Sequence, residues 1–386
     1  MAFEITKEQK MIQKMAREFG RKELAEAAME RDHTGEYPKE ILKKMGELGL
    51  LGMLVPEEYD GENMGTVAYS LALTEIAYYD ASVAVIMSVH NSIGCGSLVR
   101  FGSDAQKEKY LRPMAKGEII ASFALSEPEA GSDPAGMTAT AEKDGDFYVL
   151  NGTKRWITGG ATSGVFIILA KTDPAAGHKG ISAFLIEPGI PGFIVGRKED
   201  KMGLKGSDTT DLIFENCRVP ASALLGKEGE GFIVAMSGLD DGRIGIGSQS
   251  LGVGMRALDL AVDYSKQRHQ FGKPIAANQG LRWMIADMAT EVEAARLLVL
   301  NAAAMKDRGE KCSKEASMAK MYASEMANNV AGQSLQIHGG YGYTKEFEIE
   351  RLYRDARVFT IYEGTTQVQK IVISGEVIGD KKRKKK

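Results

Sequence analysis

The chain has 386 residues, of which 44% are hydrophobic and 26% are charged, and its formal net charge is −3. This length exceeds the size that a single hydrophobic core usually serves, so two or three domains are expected. The ordinary composition and the small net charge argue against a disordered chain, against insertion into a membrane and against binding to nucleic acid through overall charge.

The first predicted domain covers residues 1–117 and is helical. Two long segments, KEILKKMGELGLLGMLVP and AYSLALTEIAYYDASVAVIMSVHNSIG, have the pattern of helices, and Pro56 and Gly61 mark a loop between them. The N-terminal stretch MAFEITKEQK is not a charged-then-apolar leader, and its acidic residues argue against a transit peptide. We therefore expect this domain to be a group of packed helices in a cytoplasmic protein.

Residues 118–228 form the second predicted domain, which we expect to be a β domain. Six of the ten prolines fall between residues 128 and 220, and proline breaks helix interiors. Asp144-Gly145 predicts a turn before a run of β-branched and aromatic residues. Three short apolar runs follow it: GVFIILAKT, ISAFLIEPG and TDLIFENCRVP. Short strands separated by turns predict an antiparallel sheet or barrel.

Residues 229–380 form the third predicted domain, a helical bundle. No proline occurs after Pro274, and apolar residues recur at spacings of three and four in two stripes. The stripes consist of Ile285, Met288, Val292, Ala295 and Val299, and of Leu251, Met255, Leu258 and Val262. The segment GVGMRA in the second stripe matches the dinucleotide pattern G-x-G-x-x-A, which requires a preceding strand. A closely packed helix is therefore favoured over a dinucleotide site.

Two segments of the β domain contain residues suited to ligand binding. FALSEPEAGSD combines a short strand with a turn whose hydroxyls and backbone amides can approach an anion, and an ordinary loop is the alternative. RWITGG offers Trp156 to cover a planar ring and the Thr158 hydroxyl to bond its edge. A core tryptophan in a strand is the alternative there.

Two segments of the helical bundle add candidates of the same kind. In RHQFGKPI, Arg268 can bind a phosphate with two parallel hydrogen bonds. In QIHGGYGY, Gly339 and Gly340 allow a ligand to approach the backbone without a Cβ in the way. A surface arginine and a pair of glycines that ends a helix are the simpler interpretations.

Glu363 is a single carboxylate that follows an apolar and aromatic run in RVFTIYEGTTQVQK. If its side chain is buried, the loss of hydration raises its pKa towards neutrality and makes it a better proton acceptor at physiological pH. The alternative is an acid in the first turn of a helix that starts near Gly364, where the helix dipole favours negative charge.

Six segments, taken in order and spacing, closely resemble the acyl-CoA dehydrogenase flavoprotein family, especially its short-chain, butyryl-CoA dehydrogenase-like members. They are FALSEPEAGSD, RWITGG, LDDGRIGIGSQSLG, RHQFGKPI, QIHGGYGY and IYEGTTQVQ. The resemblance implies a mainly α fold with a central β domain: an N-terminal helical domain, a middle antiparallel β-barrel-like domain and a C-terminal four-helix bundle. It also implies FAD as cofactor, an acyl-CoA substrate, an electron-transfer flavoprotein as partner and a homotetramer.

The resemblance further implies which residues hold FAD. Those expected on the flavin and ribityl side are Phe123, Leu125, Ser126, Gly131, Ser132, Trp156, Ile157 and Thr158. Those expected to reach the FAD of a neighbouring subunit are Arg268, Phe271, Gln279, Gln336, Ile337, His338, Gly339 and Gly340. Those expected at the adenosine pyrophosphate part are Thr365, Thr366 and Gln367.

For the substrate, the resemblance implies contacts from Ser132, Asp240, Asp241, Gly242, Arg243, Tyr362 and Gly364. Glu363 matches the base that removes the proton next to the thioester carbonyl, while hydride leaves the next carbon for flavin. The Glu363 amide and a ribityl hydroxyl would stabilise the enolate oxygen. Some members place the base in an LDxER-type segment, but this chain has LDDGR there, which favours short straight-chain or cyclic acyl groups.

The segment Met87–Gly94 is expected to line the acyl pocket, with His90 and Asn91 as polar candidates; satisfied polar groups of a helix are the alternative. Two further functions remain open at this point. A related oxidase would let oxygen reach the flavin, and a non-catalytic flavin-binding protein would use its basic tail, residues 381–386, to dock on nucleic acid or membrane.

Cysteine and histidine placement gives no sign of a metal site. The three cysteines, Cys95, Cys217 and Cys312, lie far apart and form no CxxC pair, and the five histidines form no HxxxH or HExxH pair. The cysteine pattern favours a reducing compartment, which again indicates the cytoplasm.

Overall fold

The computed structural model describes residues 4–379 and consists of two helical regions on either side of a β-sheet. This mainly α architecture with a central β domain is the one predicted from the sequence. The basic tail, residues 381–386, for which nucleic-acid or membrane docking was an alternative, lies outside the described residues.

From residue 4 onward, the described part of the N-terminal region contains seven α-helices. They are α1 Lys7–Phe19, α2 Ala27–Thr34, α3 Lys39–Glu47, α4 Gly65–Tyr79, α5 Ala81–Ser88, α6 Gly96–Phe101 and α7 Asp104–Ala115. Two of them begin with reciprocal side-chain caps: Thr6 with Gln9 at α1, and Ser103 with Gln106 at α7. These local hydrogen bonds fix where the two helices start, because they satisfy amide groups that a helix leaves free at its first turn.

The most apolar run of this region extends from Ala81 to Phe101 and consists of α5, the π-helical segment Val89–Cys95 and α6. It is long and apolar enough to cross a membrane, but 94% of its most hydrophobic window is buried inside the protein. Asp80 caps its start by accepting hydrogen bonds from the backbone of Ser82 and Val83. The run is apolar on all sides because other elements of the fold surround it.

The sheet contains eight strands. They are β1 Ala121–Ala124, β2 Thr140–Asp144, β3 Phe147–Thr158, β4 Val165–Lys171, β5 Ile181–Ile186, β6 Phe193–Lys198, β7 Thr209–Pro220 and β8 Leu224–Leu225. Their order is β6-β7-β3-β2-β4-β5-β8, and β1 pairs with β4. Most pairs are antiparallel, as predicted, but β1 and β2 pair with β4 in parallel. The hairpin of β2 and β3 separates β1 from β4, and this length of chain lets β4 return beside β1 in the same direction.

Strand β4 is continuously apolar because both of its faces are buried. Val165, Ile167 and Leu169 pack into a core that includes residues of α7, whereas Phe166 and Ile168 pack into the interior of the β domain. Because successive side chains point to opposite faces, a strand buried on both faces needs apolar residues at every position. The sheet is thereby anchored to the helices on one side.

Up to residue 379, where the described part of the chain ends, the C-terminal region contains five α-helices and a short hairpin. They are α8 Gly231–Gln267, β9 His269–Gln270, β10 Lys273–Pro274, α9 Gln279–Asp307, α10 Ser313–His338, α11 Glu348–Ala356 and α12 Thr366–Ile378. Gly252 and Gly254 lie inside α8, where a Cβ atom would overlap the Thr74 carbonyl and the Met326 side chain, respectively. The GVGMRA segment is therefore a close helix contact, as the sequence favoured, and not a dinucleotide loop.

Candidate active site

Glu363 lies in a turn between the 3₁₀ segment Arg357–Thr360 and helix α12, and its φ angle is 52°. The N-cap of α12 is Thr365, which accepts a hydrogen bond from the Val368 amide at 3.3 Å. Glu363 thus precedes the helix and is not an acid of its first turn, so that alternative is wrong. A positive φ is unfavourable for a residue with a Cβ, and such strain is concentrated at functional sites.

The carboxylate of Glu363 points into the protein. Its Oε2 atom is buried and has no hydrogen-bond partner among the described residues. Gly242 of α8 lies directly against it, since a Cβ atom at Gly242 would be 2.7 Å from Oε2 and 3.1 Å from the Ile93 side chain. Burial raises the pKa of Glu363 to about 7, although Lys320 and Arg243 act in the opposite direction. This environment is the one that the proton-acceptor hypothesis requires.

The backbone around Glu363 is held by two buried side chains that the sequence analysis did not identify. Gln369 of α12 donates to the carbonyl oxygens of Glu363 and Gly364, at 3.1 and 2.9 Å, and Lys320 of α10 donates to that of Gly364 at 2.8 Å. A signal for Lys320 exists in the sequence, because it interrupts the stripe of small apolar residues on α10 that includes Ala316 and Ala323. The amide N–H of Glu363 has no acceptor in the described chain.

Tyr362, a predicted substrate contact, is fixed by its own hydroxyl. The hydroxyl donates to the Gln249 side chain at 2.5 Å, and Gln249 in turn donates to the Ala81 carbonyl at 2.7 Å. This chain of hydrogen bonds connects the turn to α8 and to the start of α5. The tyrosine ring is therefore positioned by two other elements of the fold.

The LDDGR segment of α8 forms a charged cluster beside Gly242. Asp240 accepts hydrogen bonds from Arg243 at 2.6 Å and from Ser313 at 2.5 Å. Asp241 is buried and forms ion pairs with Arg100 and Lys306. The predicted substrate contact at Asp241 therefore has its carboxylate engaged within the chain, because an unpaired buried charge would be costly.

Arg243 retains an unused hydrogen-bond donor although it is paired with Asp240. It is buried, and its Nε atom has no hydrogen-bond partner in the described chain. An orphaned buried donor beside Glu363 is suited to a ligand oxygen.

The loop of FALSEPEAGSD is organised by a buried ion pair. Glu127 and Lys154 are 3% and 0% exposed, with 2.7 Å between the carboxylate and the ammonium group, and Glu127 also accepts from the backbone of Thr138 and Ala139. The Leu125 side chain lies in the core. The remaining predicted residues have open sides: Phe123 and Ser126 are half-buried, and Gly131 and Ser132 are exposed.

Trp156 is turned out of the sheet by an irregularity in the pairing of β3 with β7 between Lys154 and Ile157. Its φ angle is 64°, its indole is 57% exposed, and the Arg155 guanidinium lies over the ring at 4.4 Å. The interpretation of a core tryptophan is therefore wrong. Bulges of this kind re-aim a side chain next to a functional site. Ile157 is buried in the sheet core, and Thr158 is half-buried.

The candidates for reaching a neighbouring subunit form a separate group at one end of the bundle. Arg268 lies over the Tyr341 ring at 5.4 Å, which connects the β9–β10 hairpin to the end of α10. Phe271 is 97% exposed with a φ angle of 53°, and Gln279 and Gln336 are exposed.

Two residues of this group do not offer their side chains to a ligand. Ile337 is in the core, and the buried His338 ring stacks on Tyr264 at 4.3 Å. No atom of the described chain would crowd a Cβ at Gly339 or Gly340. Gly339 ends α10 with a φ angle of 60°, which favours glycine, so the interpretation of a glycine that ends a helix holds for this residue. The open space at both glycines also leaves room for close approach by another molecule.

Of the three residues predicted to contact the adenosine pyrophosphate part of FAD, two already use their side chains for hydrogen bonds within the chain. Thr365 is used as the N-cap, and the buried Thr366 donates to Glu325 at 2.6 Å. Gln367 is exposed.

His90 and Asn91 do not line an open pocket. Both are 0% exposed, and the Asn91 amide is bonded to the backbone of Leu50, Met53 and Met87. The two ring nitrogens of His90 are bonded to the Met114 carbonyl and the Ala121 amide. They are satisfied polar groups of the π-helical segment, so the expectation that they provide polar contacts in the acyl pocket is wrong.

The fold and the geometry at Glu363 define a three-domain enzyme in which the Oε2 atom of this carboxylate is buried against helix α8. Family models described as the N-terminal, middle and C-terminal domains of acyl-CoA dehydrogenase match residues 6–118, 122–217 and 229–378. The chain belongs to the acyl-CoA dehydrogenase family and is an enzyme of that class. The resemblance read from the six segments is confirmed.

Similar proteins cover almost the whole chain. An acyl-CoA dehydrogenase of Bacillus subtilis is 51% identical over 97% of this chain and 99% of its own length. A subunit of the caffeyl-CoA reductase-Etf complex of Acetobacterium woodii is 48% identical over 97% of this chain and 99% of its own length. The structure of butyryl-CoA dehydrogenase from Megasphaera elsdenii has a TM-score of 0.96 at 44% identity and covers 98% of this chain and 100% of that one.

Members of the family are FAD flavoproteins, and FAD is the cofactor of this chain. The residues fit such a group on three observations. Trp156 presents an exposed indole on a backbone with a positive φ angle. Gly131 has open space beside it in its loop, and Gly339 and Gly340 have open space beside them at the end of α10. A large planar and anionic cofactor needs flat apolar cover and close approach to backbone amides, and these positions provide both.

Proposed function

We propose that this enzyme removes two hydrogens from a short-chain acyl-CoA thioester, giving the 2-enoyl-CoA, with Glu363 as the base. The observation that carries the proposal is the buried Oε2 atom, which has no hydrogen-bond partner in the described chain. With a pKa of about 7, the carboxylate is ionised in a large fraction of molecules at neutral pH and still binds a proton well.

The side chain and the backbone amide of Glu363 have different roles in the proposed reaction. Glu363 takes the proton from the carbon next to the thioester carbonyl, and the amide N–H of the same residue, which lacks an acceptor in the described chain, is available to stabilise the enolate oxygen. Bound FAD supplies the acceptor for the hydride that leaves the neighbouring carbon. Trp156 covers the cofactor, and the buried position of the Glu363 Oε2 atom keeps this oxygen away from water, which would otherwise compete for the proton.

Two features support a short acyl group. Gly242 stands where a second base would have to lie, and its missing side chain leaves Glu363 as the base of this cluster. Relatives covering nearly the full chain include the butyryl-CoA dehydrogenase of Megasphaera elsdenii. A cyclic acyl group is the alternative that the LDDGR segment leaves open.

The reverse reaction, reduction of an enoyl-CoA, is a second candidate because a group with a pKa of about 7 donates a proton as readily as it accepts one. The relative that belongs to a caffeyl-CoA reductase-Etf complex favours this possibility. In either direction we propose an electron-transfer flavoprotein as the redox partner. The direction then depends on the potential of that partner, whereas the roles of Glu363 and of its amide are the same.

We also propose a homotetramer located in the cytoplasm, with no nucleic-acid partner and no insertion into membrane. Phe271, Tyr343 and Trp283 are 97%, 86% and 61% exposed, and large exposed aromatic residues are enriched at subunit interfaces. The three cysteines are free and buried, in keeping with a reducing compartment.

Flavin bleaching separates the candidate functions. The holoenzyme is mixed anaerobically with a panel of acyl-CoA thioesters of different chain length, branching and ring content. Bleaching followed by slow reoxidation in air supports the dehydrogenase, and rapid reoxidation with formation of peroxide indicates an oxidase. If no thioester bleaches the flavin and an enoyl-CoA does not reoxidise chemically reduced enzyme, the protein is a flavin-binding protein and the proposal is wrong.

Glu363→Gln tests the base directly. The amide keeps the shape of the side chain without its basicity, so we expect FAD and acyl-CoA binding to be retained and turnover to fall on the order of 10²–10⁴-fold. Glu118→Gln, which changes an exposed acid, is the matched control and should leave turnover unchanged. Near-normal turnover in Glu363→Gln would refute the assignment.

A further inference from the structure

A lysine is buried beneath the turn that carries Glu363. Lys320 is 0% exposed and is surrounded on α10 by small residues such as Ala316, Ala319 and Ala323. Its ammonium group donates to the Gly364 carbonyl at 2.8 Å, its one hydrogen bond among the described residues. A buried ammonium group is costly unless it is well paired, so its placement at this carbonyl calls for an explanation beyond packing.

The turn itself is unfavourable without support. Glu363 and Gly364 are consecutive residues with φ angles of 52° and 90°. Gln369 is also 0% exposed, and its side-chain amide donates to both carbonyl oxygens of the turn, so the Gly364 oxygen receives two donors. Strained backbone persists only where the surrounding structure over-determines it, and these two side chains from α10 and α12 supply that restraint.

We propose that Lys320 and Gln369 are positioning residues for the base: both hold the Glu363–Gly364 turn in its strained conformation, and Lys320 in addition uses its charge to favour ionised Glu363. This inference rests on the proposed function of Glu363. It assigns geometry alone to Gln369, and geometry together with electrostatics to Lys320. The two side chains therefore make different predictions.

The charges around the turn agree with this division. Burial raises the pKa of Glu363. Two cationic groups lower it, and the effect of Lys320 is larger than that of Arg243 of α8. Burial lowers the pKa of Lys320 to about 8, with Glu363 acting in the opposite direction. The other titratable groups that act on the turn or on Lys320 are Tyr69 of α4, Glu325 of α10, Asp355 of α11 and Tyr362.

The sign of the expected pH effect follows from the charge. Removing the cation makes the ionised carboxylate less favourable, so Glu363 stays protonated to a higher pH. The acid limb of kcat/KM, which reports the base in the free enzyme, should then move to higher pH by about one pH unit. Removing an uncharged donor should not move that limb.

The test compares the pH profiles of four holoenzymes from pH 5.5 to 9 with the same acyl-CoA. For Lys320→Met we expect the acid limb to move up and the high-pH plateau to fall on the order of 10–100-fold, because the base is also misplaced. For Gln369→Met we expect a similar fall of the plateau with the limb unchanged. Lys320→Arg retains the charge and should restore the limb to the position of the unmodified enzyme.

The controls keep the outcomes separate. FAD content and molecular mass check folding, and if Lys320→Met binds no FAD, Lys320→Gln removes the same charge and must show the same shift of the limb. If the acid limb of kcat/KM lies at the same pH in all variants, the electrostatic role of Lys320 is overturned. If the high-pH value of kcat/KM is unchanged in Lys320→Met and Gln369→Met, both positioning roles are overturned. If Glu363→Gln is inactive while these variants behave normally, only this inference fails; if Glu363→Gln is active, the proposed function fails first.

Discussion

Replacing Glu363 by glutamine should stabilise the folded enzyme, and the gain should depend on pH. In the folded state the residue is half-buried with its Oε2 atom buried, and this loss of hydration raises the pKa of Glu363 from 4.5 to about 7. The folded protein therefore binds the proton more tightly than the unfolded chain does. Stability from this group is fully present below pH 4.5, decreases as the pH rises from 4.5 to 7, and is constant above that range.

The magnitude follows from the same two values. A difference of about 2.5 pH units at about 1.36 kcal/mol per unit gives about 3 kcal/mol of destabilisation in the unmodified enzyme at pH 8. Glutamine cannot ionise and resembles the protonated acid, so Glu363→Gln should be more stable than the unmodified enzyme by about 3 kcal/mol at pH 8. At pH 5 the difference should be less than about 1 kcal/mol.

The assay is urea unfolding of the two holoenzymes at pH 5, 6, 7 and 8, followed by flavin fluorescence and far-UV circular dichroism. Glu118→Gln, an exposed position, serves as the control and should show no trend with pH. A difference between Glu363→Gln and the unmodified enzyme that is constant across this range, or that shrinks as the pH rises, would refute the reasoning. The carboxylate would then be hydrated in solution.

Two further substitutions test the structure around the site. Glu127→Met should lower the free energy of unfolding by about 3–5 kcal/mol, because it leaves the Lys154 ammonium group buried without its ionic partner. Lys154→Met should lower it less, because Glu127 retains three other hydrogen-bond donors. If Lys154→Met has the lower thermal midpoint of the two, this assignment is contradicted. Gly242→Ala places a methyl group 2.7 Å from the Glu363 carboxylate, so kcat should fall about tenfold with FAD retained. Gly280→Ala, which meets no atom within 4 Å in the described chain, is its control, and equal kcat values in the two would disprove the contact.

Much of this protein follows from patterns that are local in the sequence. Proline between residues 128 and 220 and the apolar runs between turns predict the sheet, and the stripe from Ile285 to Val299 predicts helix α9. These predictions succeed because the period of apolar residues reflects which face of an element is buried. The parallel pairing of β1 with β4 could not be predicted in this way. The two strands are 40 or more residues apart, and their pairing is determined only when the chain folds back on itself.

The segment IYEGTTQVQ by itself placed an acid near the start of a helix, and it left two interpretations of that acid open. Only the tertiary structure decided between them, by placing Thr365 at the N-cap and the Glu363 carboxylate against Gly242, more than 100 residues earlier in the chain. Lys320 and Gln369 likewise became part of the site only through folding. The pKa of a carboxylate depends on the atoms that replace its water, and those atoms come from helices that sequence patterns locate but do not orient.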